Sequence, residues 1–447
     1  MNADCIREPI GFSRLKSRNV VADFAGGTLT SDAGGLLLRE VDRRIGLVDA
    51  LTRCIADPRD PARITHELRT LIAQRLFAIA LGYEDGNDHH DLRNDPLLQL
   101  LTERGVDPAR PLASPATLCR LENGVDRETL VRISEVFLEQ FIAGFDAPPE
   151  ELILDFDATD DPTHGTQEGR FFHGYYDRYC FLPLYVFCGE QLLTAYLRPS
   201  NIDAAKHSRA ILKLLVTRLR EAFPDVRIVV RADSGFCRWR LMRWCDRRDV
   251  KYVLGLARNA SVQRLAEPWI TQAESRFGET GQKQRLFGEV QYAAETWDRS
   301  RRVIIKAEHG GQGANPRFLV TNLTGEPQDL YDRIYCQRGE MENRIKEQQL
   351  GLFADRTSCH AFLANQFRLL LHSAAYVLIE RLRTLGLAGT HMARAQAGTI
   401  RTKLLKIGAR LICSVRRVVL HLATGFPLQS LFRRVVAQLR GPAPVPT

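Results

Sequence analysis

The chain has 447 residues, 45% hydrophobic and 26% charged, which fits a folded chain of two or three domains and excludes a disordered or collagen-like one. Its 62 Lys and Arg exceed its 53 Asp and Glu, and the last 47 residues carry the whole excess, because 401–447 hold nine basic residues and no acid. No run of about 18 apolar residues is present, and residues 1–18 lack the apolar centre of a signal peptide, so the chain reads as cytoplasmic with no membrane partner. The basic end suits a polyanion such as DNA, or equally a solubilising tail. The ten cysteines include no C-x-x-C pair, which argues against a zinc site.

In chain order, a short strand is expected over 19–24. Helical patterns follow over 34–51, 64–81, 96–103 and 127–145. Ser114-Pro115-Ala116-Thr117 and Glu122-Asn123-Gly124 mark a further helix start and stop. These short helices fit a helix-turn-helix or, more commonly, a plain bundle. Asp88-His89-His90-Asp91 lacks the spacing of helical zinc ligands and is expected to form a turn and cap. From residue 150 the pattern changes. Residues 152–157 are an apolar run ending in acids, a buried strand. Residues 181–187 and 192–197 flank Gly189-Glu190 as a hairpin. A helix over 204–222, a second acid-ended strand over 226–233, a helix over 238–248 and a strand over 252–256 complete an α/β mixed sheet. Residues 258–330 read as strand and turn, with strands over 302–307 and 316–322 and a Gly310-Gly311-Gln312-Gly313 loop between them. Helices return over 340–352 and 361–385, and 442–447 is expected to be disordered.

Asp155, Asp157 and Asp233 end apolar strands, where an acid is costly unless solvated, paired or metal-bound. Ligands of open α/β sheets gather outside the carboxyl ends of the strands. If the two strands are neighbours, Asp157 and Asp233 meet at one rim, although both acids suit helix caps equally well. A third acid from a helix would complete a hard-oxygen site for Mg2+, with Mn2+ as a substitute. Tyr335, Arg338 and Glu342 lie at i, i+3 and i+7, on one helical face. A ring to stack on a base, a guanidinium to fork onto phosphate and a carboxylate to bind metal suit a nucleic-acid strand. A plain exposed helix laced with salt bridges gives the same pattern. Strand alternation puts Asp155 and Asp157 on one face, so either fits as the first carboxylate. His164 is expected to be a hydrogen-bonded structural histidine.

Together these blocks carry a resemblance. The Y-x2-R-x3-E pattern of Tyr335, Arg338 and Glu342 follows an acid in Asp157-Ala158-Thr159 and a second in Ala232-Asp233-Ser234-Gly235. This order resembles the DDE transposases of bacterial insertion sequences, and most closely their DDE group 1 domain. Residues 155–165, 230–236 and 338–347 are the three blocks, and Asn365-Gln366-Phe367-Arg368 and Ala375-Tyr376 fit as well. The resemblance spans residues 10 to 435, approximately. It implies a ribonuclease H-like core with the first Asp on the central strand, the second on a nearby strand and the Glu on a later helix. It favours Asp157 over Asp155, since Asp157 stands two residues before Thr159. The 109 residues from Asp233 to Glu342 leave room for a β-rich insertion, which agrees with the reading of 258–330. One position departs: Gln349 stands where the family has Lys, and Lys346, about one helical turn after Glu342, is the nearer candidate.

The resemblance implies a transposase that binds the terminal inverted repeats of its element, cleaves phosphodiesters and joins the 3′-OH ends to target DNA. Mg2+ or Mn2+ would sit on Asp157, Asp233 and Glu342, with Tyr335, Arg338 and Lys346 against DNA. The partners would be double-stranded DNA and a second copy of the chain, at the nucleoid. A nuclease that only hydrolyses, and a DNA-binding repressor without catalysis, are the alternatives. The expected organisation is a helical DNA-binding region (1–148), the first part of the core (149–257), the insertion (258–330), final core helices with Glu342 (331–390) and a basic region (391–447).

Overall fold

The apolar run at 152–156 lies inside a strand, β1 (Glu151–Ala158). The next strands are β2 (Leu184–Cys188) and β3 (Gln191–Tyr196), the expected hairpin, then β4 (Arg227–Ala232) and β5 (Lys251–Leu256). Strands β6 (Gln284–Tyr292), β7 (Arg301–Gly310) and β8 (Arg317–Thr321) follow. These lie in one sheet in the order β6-β7-β8-β5-β4-β1-β2-β3. β1, β4 and β5 are parallel, and β2 and β3 form an antiparallel pair on β1. An antiparallel hairpin beside three parallel strands, with β1 central, is a ribonuclease H-like mixed sheet. This is a computed structural model, and it describes residues 9–441. Cys5 and residues 442–447, expected to be disordered, lie outside the described residues.

Residues 122–380 form one compact unit around this sheet. Its helices are α1 (Arg127–Ile142), α2 (Ser208–Ala222), α3 (Trp239–Arg247), α4 (Ala260–Thr280), α5 (Gly339–Lys346) and most of α6 (Phe362–Gly386). Alternation along the strands divides the core into two layers. Leu152, Leu154, Phe156, Ile228 and Val230 pack with Leu212 and Leu219 of α2 and Met242 of α3. Val229, Val253, Ile304 and Leu319 face the other way, against Leu330 and Tyr331. Each such buried side chain contributes about 1.5–3 kcal/mol.

The region expected as strand and turn begins instead with the 21-residue helix α4. Asn259 starts it by accepting the Val262 N–H, and Gly281 ends it at a φ of 65°. The three strands that follow are not a separate layer. β8 pairs with β5, so they extend the core sheet itself.

The second unit joins the segment up to 121 with that from 381 onward. The helix expected over 34–51 breaks into Gly35–Ile45 and Leu47–Arg53 at Gly46, whose φ is 64°. Within this unit the Gly34 N–H donates to the Leu405 carbonyl at 3.0 Å, and Thr30 pairs with Ala409. The basic end is therefore folded, into a hairpin (Ala409–Cys413 and Val418–Leu422) and a helix (Gln429–Arg440), rather than a loose tail. His89 is buried, with Gln74 Nε2 2.9 Å from its Nδ1 and Arg75 Nη1 3.3 Å from its Nε2. Burial and the Arg75 charge push its pKa down to about 3, so it is a neutral core histidine. Among the described residues, α6 is the one helix long and apolar enough to cross a membrane, and it is largely buried within the protein.

Candidate active site

Asp157 and Asp233 meet because β1 and β4 are parallel and in register. Ala232 stands opposite Phe156, so the next residues, Asp157 near the end of β1 and Asp233 just past the end of β4, come to the same carboxyl rim. Asp233 also caps the turn after β4 and accepts the Gly235 N–H at 2.8 Å.

The third acid arrives over an irregular approach. In place of a regular helical face, 330–338 forms a wide π-type turn (Leu330–Tyr335) and a tight one (Cys336–Arg338) before α5 begins. Irregular turns of this kind recur at functional sites. Arg338 then bridges two acids. Its Nη2 donates to Glu342 at 2.5 Å, and its Nη1 stands 3.6 Å from Asp157. Glu342 is partly exposed, and Lys346, one turn further along α5, is exposed.

The electrostatics record the convergence. Burial is the main force raising the Asp157 pKa. Arg338 opposes it, the negative charges of Asp233 and Glu342 add to it, and the carboxyl is pushed up to about 7. Burial also works against the Arg338 charge, yet Asp157 and Glu342 outweigh it and raise that pKa. Tyr335 is half-buried, and burial raises the pKa of its hydroxyl. That hydroxyl lies against Gly255 of β5. A Cβ at Gly255 would stand 2.8 Å from the Tyr335 hydroxyl and 2.8 Å from the Ser234 nitrogen. Glycine is thus required for Tyr335 to reach the rim beside Asp233.

Asp155 has another partner. It lies directly opposite Arg231 on β4, and both side chains are almost fully buried. Arg231 donates to both Asp155 oxygens, through Nη2 to Oδ2 at 2.6 Å and through Nε to Oδ1. Its remaining nitrogen, Nη1, donates to the Ile334 carbonyl. The pair therefore ties the central strands to the segment carrying Tyr335 and Arg338. Arg231 was absent from the expected site, although a charge within Val229-Val230-Arg231-Ala232 is a visible signal. Gln349, in the position of the family lysine, donates to the Asp160 carbonyl at 3.0 Å. His164, expected to be a hydrogen-bonded structural histidine, is exposed.

Among the described residues, no three acidic, histidine or cysteine side chains close on one point at metal-binding distance. Arg338 stands between Asp157 and Glu342 and supplies the countercharge. The three acids nonetheless offer only carboxylate oxygens, and burial first, then the charges of Asp233 and Glu342, raise the Asp157 pKa. Such a set fits a hard divalent cation.

A family model described as transposase DDE domain group 1 matches residues 12–443. The chain belongs to the transposase DDE domain group 1 family. Its members are enzymes that cleave and join DNA. No curated protein sequence matches the chain. Among solved structures, a piggyBac transposase synaptic complex with hairpin DNA is similar, at a TM-score of 0.45 and 12% identity, over 94% of this chain and 87% of that one.

Proposed function

We propose that Asp157, Asp233 and Glu342 are the catalytic carboxylates of a transposase acting on the ends of its own element. The register of β1 and β4 is the observation that carries this reading, because it sets Asp157 and Asp233 side by side at the rim where Arg338 and Glu342 arrive. Asp155 is committed to Arg231 and takes a structural role.

The three carboxylates would hold Mg2+ or Mn2+, which supplies Lewis-acid stabilisation to an in-line attack on a phosphodiester. Arg338, released from Asp157 and Glu342, forks onto phosphate oxygens. Tyr335, fixed against Gly255, positions the strand beside Asp233. Lys346 is exposed one turn after Glu342 and reaches the phosphate backbone. Two reactions follow from one site: hydrolysis that frees a 3′-OH, then attack of that 3′-OH on target DNA. Because two ends are joined in one event, a pair of chains on DNA is proposed.

A strand-transfer assay with labelled element ends and a target plasmid tests this reading. Wild type is expected to give joined products. Asp157→Ala, Asp233→Ala and Glu342→Ala are each expected to abolish cleavage while DNA binding persists. Nicks without joined products would reduce the activity to a nuclease, and cleavage by all three variants would remove the site assignment.

A further inference from the structure

Between β1 and β2 the chain leaves the core sheet and folds a small sheet of its own. Its strands are Asp161–Pro162, Phe171–His173 and Arg178–Phe181, with Arg178–Phe181 in the middle. Large aromatic side chains usually contribute to a core. Here Phe171, Phe172, Tyr175 and Tyr179 are all exposed, Tyr175 by 86%. Phe172 and Tyr179 lie opposite each other across the strand pair, edge to face, with ring centres 5.7 Å apart. The Arg170 guanidinium lies 4.6 Å from the Tyr179 ring centre. Arg178 is exposed and sits 3.8 Å from Asp160.

The tip of this hairpin stands beside the proposed catalytic acids. Tyr175 packs edge-on to Tyr176 at 4.9 Å. The Tyr176 hydroxyl lies 3.5 Å from the carbonyl of Ala158, the residue after Asp157. Burial raises the Tyr176 pKa first, and the charges of Asp160, Asp157 and Asp233 raise it further, so the ring shares their field.

A strand whose phosphate lies at Asp157 passes this hairpin, because the Tyr176 hydroxyl reaches the carbonyl of the residue after Asp157. A base released from its stack needs a surface to receive it. Flat rings interleaved with guanidinium groups suit bases and phosphates, and base stacking on an aromatic side chain is tolerant of sequence.

We infer that the 171–179 hairpin is a stacking platform for an unpaired nucleotide of the DNA strand whose phosphate lies at the carboxylates. Tyr175 and the Phe172–Tyr179 pair take bases, and Arg170 and Arg178 take the adjoining phosphates. This inference rests on the function proposed above.

The test uses the full chain, metal-free so that nothing is cut, with a short fluorescent oligothymidine and a blunt duplex as probes. The double variant Tyr175→Ala with Tyr179→Ala is expected to bind oligothymidine at least about tenfold more weakly, since each stacked base is worth roughly 1–3 kcal/mol. Duplex binding is expected to stay unchanged, and Tyr175→Phe with Tyr179→Phe to bind both probes as wild type does. Undiminished oligothymidine binding by the alanine variant, beside a wild type that cuts element ends, overturns the platform alone. Equal loss on both probes overturns it too, as does a loss of self-association of the free chain in sedimentation, which would make the patch an interface between copies. A wild type that cuts no DNA overturns the proposed function, and the platform's role with it.

Discussion

Asp157→Asn is expected to stabilise the metal-free protein at neutral pH while abolishing cleavage. In the folded chain the carboxyl of Asp157 is pushed from 3.8 up to about 7, by burial first and then by Asp233 and Glu342 against the opposition of Arg338. An acid with a raised folded pKa makes its full contribution to stability below its unfolded value, and loses it as pH rises through the folded value. Metal-free wild type is therefore expected to lose stability between about pH 4 and pH 7 through this group. Three units at about 1.36 kcal/mol each set an upper bound of about 4 kcal/mol. Partial solvent access to the side chain brings the expectation down to roughly 2–4 kcal/mol, since screening weakens such effects. For a unit of this size that is a rise in Tm of about 5–10 °C for Asp157→Asn near neutral pH. The assay is thermal unfolding in EDTA at acidic and neutral pH. Asp157→Asn is expected to match wild type in acid and exceed it at neutral pH. No gain at neutral pH, or the same gain at both, refutes the argument that burial and the neighbouring acids outweigh Arg338 at Asp157. The same variant is expected to lose the thermal gain that Mg2+ gives wild type.

Three further outcomes are expected. Gly255→Ala forces a methyl against the Tyr335 hydroxyl and the Ser234 nitrogen, so cleavage is expected to fall about a hundredfold from misplacement of the rim, with a stability loss of about 1–3 kcal/mol, read by cleavage rate and denaturation together. Arg231→Met leaves Asp155 buried and unpaired and is expected to cost about 3–5 kcal/mol, most of it recovered in the double variant with Asp155→Leu, as chemical denaturation would show. Gly34→Ala puts a Cβ 2.2 Å from the Leu404 carbonyl oxygen, and limited proteolysis is expected to release the 401–441 segment sooner than in wild type.

The core was legible where its signals are local. The acid-ended apolar runs at Asp157 and Asp233, the Gly189-Glu190 turn and the amphipathic stretch before Ala222 each state their own element. What pairs with what was not local. That Asp155 belongs to Arg231 follows from a strand register that no single segment displays. The need for glycine at 255 depends on Tyr335, 80 residues later. Helix α4 was hidden by Pro268 in its interior and a weak apolar stripe, although Asn259 and Gly281 mark its ends. The 171–179 hairpin escaped because exposed aromatics break the alternation that reveals half-buried strands. The regular helix expected through Tyr335 assumed uniform spacing, and the wide turn at Leu330–Tyr335 changes which side chains share a face.

The unit that holds the carboxylates is inserted between the two halves of the other unit. During synthesis its last residue, Glu380, leaves the ribosome ahead of the strand at Ala409–Cys413, the partner of Leu29–Thr30. The unit with the proposed catalytic acids can thus complete its fold before the other unit has all of its chain. A message cut short after residue 380 would release the chain of that unit attached to an unfinished N-terminal half, so synthesis itself imposes an order in which the unit with the proposed acids precedes the completed molecule.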